Sequence, residues 1–136
     1  MNLKTVADQM RTALDTVAGL IVPPWGAEAS GLPCALVGWP EALRFTDTYG
    51  RGKAGTDDWP VVLCVATGAG RRPAYDRLAA LLSDQPGSAL AALEAGPYTA
   101  CDLVHVQTGE IDPDARYAGK PVIAAILHCQ IIGPGR

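Results

Sequence analysis

The sequence predicts an α+β fold: a mainly antiparallel four-stranded sheet with helices packed on one face. Three observations lead there. The run Trp59-Pro60-Val61-Val62-Leu63-Cys64-Val65-Ala66-Thr67 is apolar on both parities, as a strand covered on both sides must be. The closing segment 120–132 alternates instead. Pro121, Ile123, Ala125, Leu127, Cys129 and Ile131 form a wholly apolar face, while Val122, Ala124, Ile126, His128, Gln130 and Ile132 grade from apolar to polar. Helical spacing appears before and between these runs, in segments long enough to cover one sheet face. The second face of the 59–67 strand then needs another helix or another subunit.

At the N-terminus, Leu3, Val6, Met10, Ala13, Leu14 and Val17 recur at helical spacing opposite Lys4, Asp8, Arg11 and Asp15. This predicts an amphipathic helix of about four turns ending near Gly19. Residues 20–33 hold Pro23, Pro24, Gly26, Gly31 and Pro33 and read as a crossing loop, with a short strand at Ile21-Val22 and Trp25 as a packing anchor. A short strand is expected over 34–38. Trp39-Pro40 breaks it, and alternation resumes over 42–47, with Leu43 and Phe45 one way and Arg44 and Thr46 the other. Residues 48–58 read as a long hairpin tip carrying Arg51, Lys53, Asp57 and Asp58.

Pro60 should open its strand, because it cannot donate a ladder hydrogen bond. After the Gly68-Ala69-Gly70 break, 71–83 predicts a helix with Pro73 in its first turn and Tyr75, Leu78, Ala79 and Leu82 inward. Asp84-Gln85-Pro86-Gly87 turns the chain, and Ser88 caps a short helix over 89–95 stopped by Gly96-Pro97. Two strands follow, 100–109 and 120–132, joined by a connection over 110–119.

A chain of 136 residues predicts one domain, 1–136, able to bury a real core. Its apolar fraction of 49%, charged fraction of 18% and mean hydropathy of +0.13 leave surplus apolar surface of the kind that oligomers bury. No apolar run approaches roughly 18 residues, so no membrane span is expected. The first 19 residues carry Asp8 and Asp15 and do not read as a signal peptide, which predicts a protein made and kept in the cytoplasm. A net charge of −3 does not suit a general nucleic-acid binder. Cys34, Cys64, Cys101 and Cys129 lie about 30 residues apart without a Cys-x-x-Cys pair and read as buried free thiols.

No catalytic constellation emerges, so the expectation is not an enzyme, with no cofactor and no metal. Gly68-Ala69-Gly70-Arg71-Arg72 lacks the third glycine of a dinucleotide loop and the Gly-Lys-Ser/Thr of a P-loop. It reads as a strand-to-helix turn that could receive an anion. His105-Val-Gln107 and His128-Cys-Gln130 repeat one spacing on the two C-terminal strands, expected neighbours. No Asp, Glu or Cys has the parity to complete a metal site with them, so His105, Gln107, His128 and Gln130 read as a polar sheet face or an intersubunit contact. Asp57-Asp58 and Asp112-Pro-Asp114 read as solvated loop charges. Tyr49, Arg51 and Lys53 form a candidate docking tip, with Arg51 offering a planar fork to a carboxylate and Tyr49 contact area.

The order of segments resembles the tail terminator proteins of long-tailed bacteriophages, especially those of actinobacterial hosts. The residues are Ala35-Leu-Val-Gly-Trp-Pro40, Phe45-Thr-Asp-Thr-Tyr-Gly-Arg-Gly52 and the run from Trp59 to Val65. They continue with Arg77-Leu-Ala-Ala80, Ser88 with Ala92-Leu-Glu94, Tyr98-Thr-Ala-Cys-Asp102, and Ala118-Gly-Lys-Pro-Val-Ile-Ala-Ala125. Between Leu20 and Pro33 the chain is more apolar and proline-rich than that pattern. The resemblance implies a structural virion protein of the tail and neck. It would form a homo-hexameric ring that caps the tail tube and meets the head-tail connector, or stopper. Its partners would be other copies of itself, the tail tube protein and the connector, with DNA only as passing cargo. Two other expectations stand beside it: another neck or tail-tube component of the virion, and a small Cys/His enzyme.

Overall fold

The computed structural model describes residues 1–45 and 52–135. It has α1 (Leu3–Asp15), β1 (Cys34–Val37), β2 (Lys53–Ala66), α2 (Arg71–Leu81), α3 (Ala89–Ala95), β3 (Leu103–Tyr117) and β4 (Lys120–Pro134). The four strands form one antiparallel sheet in the order β1-β2-β4-β3, and the three helices pack against one face. The fold is therefore α+β, and no described helix is long and apolar enough to cross a membrane.

The helix-side core collects one parity from every strand: Ala35 and Val37, then Trp59, Val61, Leu63 and Val65, then Ile123 to Ile131 in steps of two. Against it α1 sets Val6, Met10 and Leu14, α2 sets Ala74, Leu78 and Leu81, and α3 sets Leu93. Each large side chain buried here contributes about 1.5–3 kcal/mol. The exposed Lys4–Asp8 pair on α1 contributes at most about 1 kcal/mol. Packing, not ion pairing, holds the sheet to its helices. On α2 the inward stripe is shifted one residue from the predicted one: Ala74 and Leu81 are buried while Tyr75 and Ala79 face solvent.

The second sheet face is neither bare nor covered by a helix. The proline-rich loop lies over its β1 end. Ile21, Ala29 and Leu32 pack on Cys34, Cys64, Val122 and Ala124, and the Ala29 N–H donates to the Tyr117 hydroxyl at 2.6 Å. The expected short strand at Ile21-Val22 is a single parallel bridge, Ile21 to Cys34.

Pro60 sits inside β2, not at its start. Gly38 donates to the Pro60 carbonyl at 2.9 Å, so the proline nitrogen faces the Gly38 carbonyl just past the end of β1. That carbonyl accepts instead from the Trp59 indole N–H at 2.9 Å. The side chain supplies the donor that proline lacks, which makes the position tolerable. A Cβ on Gly38 would stand 2.9 Å from the Pro60 ring and carbonyl, so only glycine allows this approach.

Two more expectations change. The predicted strand over 42–47 reduces, within the described residues, to one bridge in which Arg44 and Gly55 exchange backbone hydrogen bonds at 2.8 and 3.0 Å. The predicted connection 110–119 is mostly strand: β3 continues to Tyr117, and only Ala118-Gly119 turns the chain, both at positive φ (52° and 77°). That is the sign pattern of a type I′ hairpin.

Candidate subunit interface

Two β-bulges shape the open part of the second sheet face. In β2 the register jumps from Thr56↔Ile131 to Trp59↔Cys129, so Asp57 and Asp58 together oppose Gln130. Both carboxylates then reach the same face: Asp57 accepts from Gln130 at 3.2 Å and approaches Arg44 at 3.7 Å, and Asp58 meets His128 Nδ1 at 2.5 Å. These aspartates are strand residues rather than loop residues, and their side chains remain exposed. In β3 the jump from Val106↔Cys129 to Thr108↔His128 leaves Gln107 as the extra residue and places Glu110 diagonal to His128, with Nε2 to Oε1 at 3.2 Å.

The parity argument that kept acids away from the histidines is corrected at His128, which two carboxylates reach. Parity counting along an unbroken strand misplaces every residue beyond a bulge. His128 lies between Asp58 of β2 and Glu110 of β3, one on each ring nitrogen. The hydrogen bond to Asp58 raises its pKa first of all, with Glu110 acting in the same direction and partial burial opposing. Carboxylates on both nitrogens favour the imidazolium, which ties three strands through one side chain. Among the described residues, no three His, Cys, Asp or Glu side chains are placed to hold a metal ion.

The two histidines are not brought together. His105 is the register partner of Gln130, yet its Nδ1 meets Glu94 of α3 at 2.7 Å, across the edge strand. Gln107 is exposed in the bulge. Of the expected tip, Tyr49 and Arg51 lie outside the described residues. Lys53 opens β2 and pairs with Asp102, so it is engaged within its own chain. The Gly68–Arg72 stretch is a strand-to-helix turn, as read from the sequence, and Arg71 bonds Asp114 at 2.7 Å.

All four thiols are buried and free. Cys34 and Cys64, unconnected by spacing, are register partners. The Cys34 thiol donates to Cys64, and that bond together with burial pushes Cys34 far above the ordinary thiol range. The same bond favours the Cys64 thiolate, while burial opposes it. Burial pushes Cys101 up to about 11 and Cys129 up to about 12. None has the electropositive, accessible setting of a reactive cysteine.

At the opposite flank from β3, three tryptophans climb out of the core. Trp59 is fully buried, Trp39 stacks on it in a tilted pair at 5.8 Å, and Trp25 stacks on Trp39 at 5.9 Å. Trp39 is 41% exposed and Trp25 63%, so the expected packing anchor is mostly surface. Trp25, Trp39 and Trp59 lie 14 and 20 residues apart, so packing between segments, not a local motif, builds this stack. Compared with models of known protein families and with curated proteins, the sequence gives no match.

Proposed function

We propose that this protein is a structural virion subunit of the tail-terminator kind. It forms a homo-hexameric ring that caps the tail tube and joins it to the head-tail connector, with DNA passing through the ring. The reading rests on the sequence resemblance, which spans most of the chain. The observation that supports it best is the half-covered sheet face. The proline-rich loop shelters one end of that face, while Val62, Ile126 and Ile132 remain partly exposed beside the Asp57, Asp58, Glu110, His128 and Gln130 cluster. Partly buried apolar residues within a satisfied polar network make a surface suited to a partner. The net charge of −3 also suits a lumen that DNA must traverse without sticking.

Light scattering and negative-stain imaging of the purified protein, alone and with assembled tail tubes, test the reading. Closed rings of one size, in solution or capping tubes, are expected. A stable monomer at high concentration with bare tube ends would overturn it.

A further inference from the structure

We propose that Cys34 and Cys64 are a latent disulfide: a small peroxide oxidant joins them across β1 and β2 within the intact fold, and the bond latches the β1 edge of the sheet. The proposal goes beyond the ring reading and does not depend on it.

The two cysteines are register partners on antiparallel strands. Gly38 donates to the Pro60 carbonyl in the same ladder, so by alternation Leu36–Val62 and Cys34–Cys64 are also hydrogen-bonded pairs. Such pairs hold their Cα atoms about 5.5 Å apart, within the roughly 4.4–6.8 Å that a disulfide spans. Both side chains lie on the second sheet face and share one small core with Val122 and Ala124. The Cys34 thiol donates to the Cys64 sulfur, so the two sulfurs already face each other. Cys101 and Cys129 belong to the helix-side core, across the sheet, and do not compete for either.

Both thiols are buried, which keeps bulky reagents out, but their cover is one loop thick. Ile21, Ala29 and Leu32 lie over them, and the Ile21–Cys34 bridge and the Ala29–Tyr117 hydrogen bond hold that loop down. A cavity of ≈ 510 Å³ opens between the loop and β1, lined by Trp25, Ala27, Leu36, Val37 and Tyr117. Leu36 shares the face of Cys34 two residues along, about 7 Å away, so a molecule as small as hydrogen peroxide in this cavity is one side chain from the pair. The bond from Cys34 favours the Cys64 thiolate, the nucleophilic form, against burial. The Cys64 sulfur attacks one peroxide oxygen, the O–O bond breaks, and a sulfenic acid forms while the leaving hydroxide takes the Cys34 proton as water. The Cys34 sulfur then attacks the sulfenic sulfur, its S–O bond breaks, and the released hydroxide is protonated to a second water. Two thiols and one peroxide thus give one disulfide and two waters. Each sulfur loses one electron and each peroxide oxygen gains one.

The bond acts where the sheet is held least. β1 has four residues, against 14 in β2 and 15 in each of β3 and β4. Pro60 also denies its ladder one donor. The loop over the second face hangs from this strand, with Ile21 donating to the Pro33 carbonyl and accepting from Ala35 N–H. A covalent tie at Cys34 pins the edge strand and the loop together. It also closes about 30 residues of chain, which restricts the unfolded state. A medium that keeps thiols reduced leaves the pair open, and an oxidising one closes it.

The test treats the folded wild type with dilute hydrogen peroxide, alkylates the remaining thiols in denaturant, and maps the peptides by mass spectrometry. A Cys34–Cys64 link is expected, with Cys101 and Cys129 alkylated. The melting temperature should rise by about 5–15 °C and fall back after dithiothreitol. Amide hydrogen exchange at Ile21, Ala29 and Ala35 should slow at least about fivefold in the oxidised protein. Cys34→Ala, checked for folding by circular dichroism, should show neither the link nor the shift, and the wild-type peptide map decides the question if that variant does not fold. Peroxide that leaves both thiols free, drives Cys64 to the sulfinic acid with Cys34 unlinked, or joins either one to another cysteine would overturn the proposal. So would a Cys34–Cys64 bond that lowers the melting temperature or leaves the exchange rates unchanged, because the pair would then latch nothing.

Discussion

Gly38 shows how much one residue can decide. Its backbone contacts Pro60, and its carbonyl takes the Trp59 indole, so the end of β1, the proline inside β2 and the base of the tryptophan stack share one small space. Gly38→Ala should destabilise the protein by about 1–3 kcal/mol through overpacking, read as a lower denaturant midpoint with an unchanged slope. His128 makes a second prediction. Its folded pKa is raised, so the native state binds its proton more tightly than the unfolded chain does. That contribution is fully present below the unfolded value of about 6.5 and is lost as pH rises through the folded value. Wild-type stability should therefore fall relative to His128→Gln between acidic and mildly alkaline pH. A difference that is flat with pH, or grows toward high pH, would show that Asp58 and Glu110 do not clamp a protonated ring.

Among the elements, the β3–β4 hairpin departs most from expectation. Its acidic, proline-containing middle has the composition of a loop, and 110–119 reads as one from local propensity. Pairing to β4 overrides this. Pro113 and Asp114 sit in a second irregularity opposite Ile123, on an edge strand where a missing donor costs little. The turn itself is imperfect, because Ala118 adopts φ 52° with a Cβ that disfavours it. Ala118→Asn should stabilise the protein by about 0.5–1 kcal/mol, because Asn-Gly is the preferred type I′ pair. A lower melting temperature would contradict the turn assignment. The α3 cap is the opposite case and was readable in advance. Ser88 accepts from Ala91 N–H at 3.0 Å and donates to the Ser83 carbonyl at 2.6 Å, and it is buried. Ser88→Ala should cost about 1–2 kcal/mol in denaturant unfolding, because the cap and a buried hydrogen bond are lost together.

At the scale of the molecule, the four thiols report on the whole fold, since two lie on the helix side of the sheet (Cys101 and Cys129) and two under the proline-rich loop (Cys34 and Cys64). None should react with an aromatic disulfide reagent in native buffer, and all four should become reactive together as denaturant crosses the unfolding midpoint. If Cys34 and Cys64 react first, the loop opens as a separate unit while the helix-side core stays closed. The same loop divides the second sheet face into a sheltered end and an open end. It therefore decides how much of the sheet is left for a partner.

Periodicity alone determined the α+β class, the helix-covered face, the three helices and the apolar parity of β4. Each of these follows from spacing within one segment, where side-chain direction repeats every two or 3.6 residues. The burial of the thiols was legible for the same reason, from the apolar runs around them. Only the tertiary structure decided the rest. A bulge shifts parity without leaving a mark in composition, so the Asp58–His128–Glu110 cluster could not be counted out from either strand alone. The pairing of Cys34 with Cys64, the loop laid over the second face, and the stack of Trp25, Trp39 and Trp59 join residues far apart in sequence. Contacts of that kind are set by register and packing between segments, and no local pattern encodes them.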